Sequence, residues 1–339
     1  MRGYGERGPS RRRFLVWGLG LAAGAAACAA GCGTEHAGGG GVDALRTRFS
    51  INPGGPRWAR AGRAFAGVAR AAGFMAGGGP EAGRAAGFGS AITLTGLPAL
   101  AAAELNNAQS LLDDATPLAR LSGEVEVVVV PDGSPLRDFD DFGAQLLARP
   151  GQTPLAGGPQ GEPDHLLFGL IARALGADGR QVDYSGYPSS GEAVTALLAG
   201  KAAAAAGPLR DWRAGIGRGR VRALAVSSAL RVPDLDVPTL LECGARVDFA
   251  DWVGAFGPAG MSDESRDSAV RMCAEVIGSS AWEAACQAAG WLPIPLSGDD
   301  FANWLDTEIA RTRAVLRDLG LLPTAKEDTT CWVSCGNGH

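Results

Sequence analysis

Apolar residues along this chain alternate between short continuous runs and helically spaced ones. Val125–Val130 is β-branched at every position but Glu126, as expected of a strand buried on both faces. Shorter strand-like runs are Ile92–Thr95, Ala223–Val226 and Trp252–Phe256. Between them lie stretches with apolar residues at helical spacing: Leu166, Leu167, Leu170, Ile171 and Leu175, then Val194, Leu197 and Leu198. An alanine-rich helix to about Ala72 follows the turn Pro53–Trp58. The last helix carries Phe301, Trp304, Leu305, Ile309, Leu316 and Leu319 on one face. Ser297-x-x-Asp300 predicts a capping box at its start, and Gly320 predicts its end. This alternation of strands and helices predicts parallel α/β architecture, whose ligands bind at the carboxyl ends of the strands.

The chemistry concentrates between Thr153 and Glu192. A short strand ends in Gly157-Gly158-Pro159-Gln160-Gly161, and Glu162-Pro163-Asp164-His165 opens a helix. A strand around Val182–Tyr184 leads to a second turn, Ser189-Ser190-Gly191-Glu192, which opens another helix. Two such turns each aim the free N–H groups of a helix N-terminus at one spot, an anion site made of backbone. Carboxylate recognition is the chemistry this favours. Asp164 reads as a helix-start charge beside the positive end of the dipole.

Composition narrows the classes. The 339 residues suit about two domains, and 46% hydrophobic content is ample for a core. The formal charge is −5; without the five arginines and one glutamate of residues 1–31 it is −9. Such a chain does not suit nucleic acid or anionic membrane surfaces. Residues 1–31 resemble an export signal: twin arginines in Ser10–Leu15, an apolar run from Phe14 to about Ala30, and Ala29-Ala30-Gly31-Cys32, similar to a lipobox. Cys32 is the expected acylated residue, Cys28 the alternative, and an uncleaved anchor a further one. Gly38–Gly41 lies in a flexible tether spanning 32–49. The folded part is thus expected outside the cytoplasm, lipid-anchored to the cell membrane. Cys243, Cys273 and Cys286 lack metal-ligand spacing; the last two read as buried free thiols, with a bridge as alternative. Cys331 and Cys335 fall in a polar 323–339 tail that reads as disordered. No metal or cofactor is expected. No GxSxG elbow supplies a nucleophile, and of three histidines only His165 lies near the turns, so the chain does not read as an enzyme.

Six runs carry a family resemblance: Thr116–Pro131, Gly157–Leu167, Val182–Ala193, Val221–Gly244, Asp251–Ser262 and Phe301–Leu322. Together they resemble the tripartite tricarboxylate transporter substrate-binding proteins, the TctC or Bug family of extracytoplasmic solute receptors. The resemblance implies a two-lobed periplasmic-binding-protein type II α/β fold with a central cleft and two interdomain crossings. Domain 1 would comprise 50–124 and 250–322, domain 2 residues 125–249. The partners implied are a small carboxylate, such as citrate, and the membrane permease of a tripartite transporter, with the receptor a monomer. Alternatives are a sensory ligand-binding partner, a paralogue that no longer binds, and a hydrolase on the same scaffold.

The candidate ligand-binding residues are Gly54, Gly55, Arg57, Trp58, Gly96, Leu97, Gly158, Gly161, Glu162, His165, Ser190, Gly191, Glu192 and Gly207. His165 is poised between hydrogen-bonding its turn and contacting ligand. Glu192 reads as a first-turn glutamate that holds the Ser189-Ser190 turn, against the alternative of a general acid. Trp58 and Trp252 either cover the ligand or belong to the core. The first turn departs from the family, with Gly55-Pro56-Arg57-Trp58-Ala59 where glycines and an aspartate are usual. The glycine-rich segment Phe74–Glu81 is likewise shortened. Arg57 points either to a second ligand carboxylate or into solvent; with Ala59 in place of the aspartate a ligand amine loses its partner, so the turn is expected to favour di- or tricarboxylates such as citrate over amino acids and neutral amides.

Overall fold

The computed structural model describes residues 49–75, 91–106 and 115–323. The export signal, the tether with Cys28 and Cys32, residues 76–81 of the shortened glycine segment, and the tail with Cys331 and Cys335 lie outside the described residues.

Ten strands form two five-stranded sheets among the described residues. The first runs in the order β1 (Ser50–Pro53), β2 (Ala91–Gly96), β9 (Asp251–Pro258), β3 (Ala115–Glu124), β10 (Leu292–Ser297). The second runs β6 (Tyr184–Gly186), β5 (Leu155–Gly157), β7 (Ala204–Pro208), β4 (Glu126–Pro131), β8 (Val221–Val226). The expectation of parallel sheets holds only in part. β1 pairs β2 in parallel and β5 pairs both β6 and β7 in parallel, but the pairings of β3, β4, β8, β9 and β10 are antiparallel. The reason lies in the crossings. β4 and β9 each start where the neighbouring parallel strands end, so each runs back against them.

The crossings lie side by side. β3 ends at Glu124 and β4 begins at Glu126, with Val125 alone between the sheets. On the return, the Phe249 N–H donates to Ser227 O at the end of β8, and two residues later Asp251 opens β9 in register with Glu124. Three carboxylates, Glu124, Glu126 and Asp251, therefore stand at the junction of the lobes.

The helices are α1 (Ala59–Ala71), α2 (Leu97–Leu105), α3 (Phe139–Ala148), α4 (Pro163–Leu175), α5 (Ser190–Leu198), α6 (Leu209–Gly217), α7 (Asp263–Ile277), α8 (Ser280–Ala289) and α9 (Gly298–Asp318). Asp138, Ser189, Ser262 and Ser279 cap α3, α5, α7 and α8 with side-chain oxygens that accept a backbone N–H two or three residues into the helix. The capping box predicted at Ser297 does not form: Ser297 makes no capping hydrogen bond, and Gly298 enters the helix at φ 58.

Three apolar clusters make the core. One lies between the first sheet and α1, α7 and α8, around Phe65, Leu94, Met272 and Trp282. Another backs the second sheet, around Val127, Val129 and Trp212. The largest joins both sheets through Val128, Phe168, Trp252, Phe301 and Leu316. α9 makes that continuity possible. Its start packs Phe301 against Phe256, ring centroids 5.6 Å apart, while its end meets α4 at Gly169, where a Cβ would lie 2.7 Å from Val315 Cγ1. Cys273 and Cys286 are free and buried, on α7 and α8. No helix among the described residues is long and apolar enough to cross a membrane.

Candidate functional site

A cleft of about 440 Å³ opens beside the two crossings. The first-sheet side contributes Arg57, Trp58, Arg60, Ser122, Glu124, Asp251 and Trp291 to its wall. The second-sheet side contributes Gly158, Glu162, Asp164, Ser189, Ser190, Arg210 and Asp211. The loops at the carboxyl ends of β1, β3, β5 and β7 all reach it, as does the start of β9.

Arg57 sits on a short 3-10 turn, Pro56–Trp58, directly after β1. Its Nη1 donates to Glu162 Oε2 at 2.6 Å and its Nη2 to Asp251 Oδ2 at 3.0 Å. One guanidinium thus spans from the first lobe to the N-cap residue of α4 in the second. Burial works against its charge, yet Asp251 and Glu162 outweigh that and raise its pKa. The sequence left Arg57 to a second ligand carboxylate or to solvent; the structure gives its guanidinium two carboxylates of the protein instead.

Asp164, in the first turn of α4, is buried, and its Oδ2 accepts the Gly158 N–H at 2.6 Å. Burial pushes its carboxyl up to about 6, against the pull of that hydrogen bond and of Arg57. Asp164 stands in the first turn of α4 as expected, and burial raises its pKa there. Asp251 is likewise pushed up to about 6 by burial, against the pull of Arg57. Behind them Glu126 is fully buried, its side chain within hydrogen-bonding reach of Asp164. Burial first, then the charge of Asp164, raises its pKa well above the usual carboxylate range.

A second ionic bridge joins the lobes on the far side of the cleft. Glu124, ending β3, accepts from Arg210 of α6 and from Trp291 Nε1 at 3.0 Å. Arg60 lies over the Trp291 ring, 5.2 Å from its centroid. Ser190 Oγ donates to Asp211 Oδ2 at 2.8 Å. Among the described residues, five carboxylates and three guanidiniums therefore line the cleft, and Arg57 and Arg210 are both paired internally.

Of the residues expected from sequence, Arg57, Trp58, Gly158, Glu162 and Ser190 line the cleft. The others stand elsewhere. Gly54 donates its N–H to Leu94 O at 2.8 Å, and Gly55 accepts from the Trp58 N–H as the 3-10 turn closes. Gly96 and Leu97 are buried at the β2–α2 junction, Leu97 in the core. Gly161, at φ 82, donates its N–H to His165 Nδ1 at 3.1 Å. His165 is buried and its pKa is pushed down to about 4, so the ring is neutral with its proton on Nε2. It stacks on Tyr184 at 4.0 Å between centroids, and Tyr184 Oη donates to Gly158 O at 2.6 Å. His165 thus hydrogen-bonds its turn. Gly191 and Glu192 are exposed on α5, where the Glu192 N–H donates to Ser189 Oγ at 3.3 Å. Gly207 is buried on β7 against Trp212. Trp252 is a core residue.

Sequence reasoning missed Glu124, Glu126, Asp251, Asp211, Arg60, Arg210 and Trp291. One signal was present: Gly123-Glu124-Val125-Glu126 places two carboxylates at the mouth of a valine run, where a charge needs a reason.

With the geometry in hand, the comparisons are direct. The family described as "Tripartite tricarboxylate transporter family receptor", TctC, matches residues 63–321. The chain belongs to this receptor family. Protein BugT of Bordetella pertussis is 31% identical over 213 residues, 62% of this chain and 64% of BugT. A UPF0065 protein from the tcbD-tcbE intergenic region of Pseudomonas sp. strain P51 is 32% identical over 150 residues, 43% of this chain and 44% of that protein. The matched part thus spans less than two thirds of either curated relative.

Solved structures share the fold. A TctC solute-binding protein from Polaromonas, without ligand, superposes with a TM-score of 0.64 at 20% identity, covering 80% of this chain and 98% of that one. An R. palustris protein with adipate gives 0.59 at 22% identity, covering 82% and 98%. MatC of Rhodopseudomonas palustris, with bound malate, gives 0.54 at 19%, covering 81% and 98%. All three describe this chain's two-lobed fold, and the family is one of solute receptors.

Proposed function

We propose that this protein is a membrane-tethered extracytoplasmic receptor that captures a small carboxylate-bearing solute between its lobes and delivers it to a permease of the tripartite type. The observation that carries the reading is the cleft itself, walled by both lobes and placed beside the two chain crossings. The lobes would be 50–124 with 250–322, and 125–249, each bringing half the wall, and the receptor would act as a monomer. Malate and adipate in two structural relatives support a small organic acid as the ligand class. The α5 N-terminus, with Ser189 and Ser190 in the cleft wall, offers backbone N–H groups to a carboxylate. A citrate-like ligand drawn to Arg57 has weaker support, since that guanidinium already holds Glu162 and Asp251. Anchoring would run through acylated Cys32, which the intact mass of membrane-extracted protein tests.

A ligand at a hundred times its Kd stabilises the folded state by about 2.7 kcal/mol. In a thermal-shift screen of small carboxylates, with and without amino groups, at least one compound should raise the melting midpoint. A well-folded protein whose midpoint none of them moves would overturn the receptor reading in favour of a paralogue that has lost binding.

A further inference from the structure

Resting on the receptor reading, we propose that the cleft selects a solute carrying a cationic nitrogen, an amino- or guanidino-carboxylate, over dicarboxylates of the malate and adipate type. Three observations carry it. The first is charge: among the described residues five carboxylates and three guanidiniums line a cleft of about 440 Å³, so a second anionic group on the ligand adds to an excess of its own sign. The second is occupancy of the donors. Arg57 is held by Glu162 and Asp251, Arg210 by Glu124, and the Gly158 N–H by Asp164. A second ligand carboxylate would have to strip these donors from carboxylates already in place, whereas a cationic nitrogen meets Asp164, which accepts from the Gly158 N–H and pairs with neither Arg57 nor Arg210, and one carboxylate can use the α5 N-terminus. The third is that the wall already seats a cationic nitrogen group: the Arg57 guanidinium lies between Glu162 and Asp251 at 2.6 and 3.0 Å.

Isothermal titration of the ligand-free protein with adipate and with 6-aminohexanoate isolates the charge, because the two share a six-carbon chain. The inference expects 6-aminohexanoate to bind at least tenfold more tightly, a difference of about 1.4 kcal/mol. Glu162→Gln removes one carboxylate from the wall at a half-buried position and should narrow that ratio at least threefold. Adipate binding as tightly or more tightly overturns the inference and leaves the receptor reading standing. An unchanged ratio in Glu162→Gln overturns the assignment to this wall. If neither compound binds, the compound that shifts the midpoint in the carboxylate screen decides. One with a cationic nitrogen supports the inference, one without it overturns the inference alone, and none at all overturns the receptor reading with it.

Discussion

Asp164 is where single-residue chemistry departs furthest from what its neighbours in sequence suggest. A carboxylate in the first turn of a helix normally gains from the dipole, but here burial lifts its pKa from the ordinary 3.8 to about 6. The sign of the consequence follows. A folded-state pKa above the unfolded one means that the folded protein binds the proton more tightly, so this contribution to stability is complete below about pH 4 and is lost as pH rises through 6. Asp164→Asn keeps an acceptor for the Gly158 N–H without the charge. It should therefore be more stable than the parent at pH 8, by on the order of 1–3 kcal/mol, and indistinguishable from it near pH 3.5. Urea midpoints at the two pH values measure this, and a variant less stable at pH 8 would contradict it. Asp164 itself was legible as a helix-start residue. Its burial was not, because Gly157 and Gly207, which crowd it, come from strands β5 and β7.

At the scale of the element, the strand-to-helix turns were well marked in the sequence. Gly96-Leu97-Pro98 does end β2 and open α2, but for a packing reason rather than a ligand. A Cβ on Gly96 would stand 2.0 Å from the carbonyl oxygen of Trp252 on the neighbouring β9. Since the backbone there is extended, the constraint is close approach of two strands and not a special dihedral. Gly96→Ala should cost about 1–3 kcal/mol or more, with the loss seen as a lower urea midpoint at unchanged slope. A midpoint within experimental error of the parent would show that β2 and β9 can separate freely. The capping serines divide in the same way. Ser189, Ser262 and Ser279 cap their helices, whereas Ser297, with an equally good local pattern, does not.

At the scale of the whole molecule, the lobes are joined by two adjacent chain crossings, by α9 packed on both sides, and by the ion pairs of Arg57 and Arg210. Arg57 is the sensitive one, because removing it leaves Asp251 buried without its cation. Arg57→Ala should lose about 1–3 kcal/mol at pH 8, a range kept below that of a fully buried pair because the guanidinium is half exposed. Near pH 3.5, where Asp251 is protonated with or without its partner, the loss should largely vanish. Denaturation at the two pH values tests this, and an equal loss at both would assign Arg57 a packing role instead.

Local pattern sufficed for what depends on neighbours in the chain. The valine run predicted a strand buried on both faces, the glycine turns predicted helix starts, and the six runs predicted the family and its two-lobed fold. Periodicity reports which face of an element is apolar, and that is set by residues three or four positions apart. Strand direction and the charge of the cleft required the tertiary structure. β4 and β9 run antiparallel because they begin at the lobe junction, and no spacing within either strand records that. The cleft is acidic because Glu124 and Asp251 from the first sheet meet Glu162, Asp164 and Asp211 from the second side, and Glu162 and Asp251, 89 positions apart, close on the same guanidinium. Burial and charge pairing are sums over distant groups, so only the folded chain could decide that Arg57 meets carboxylates of its own protein.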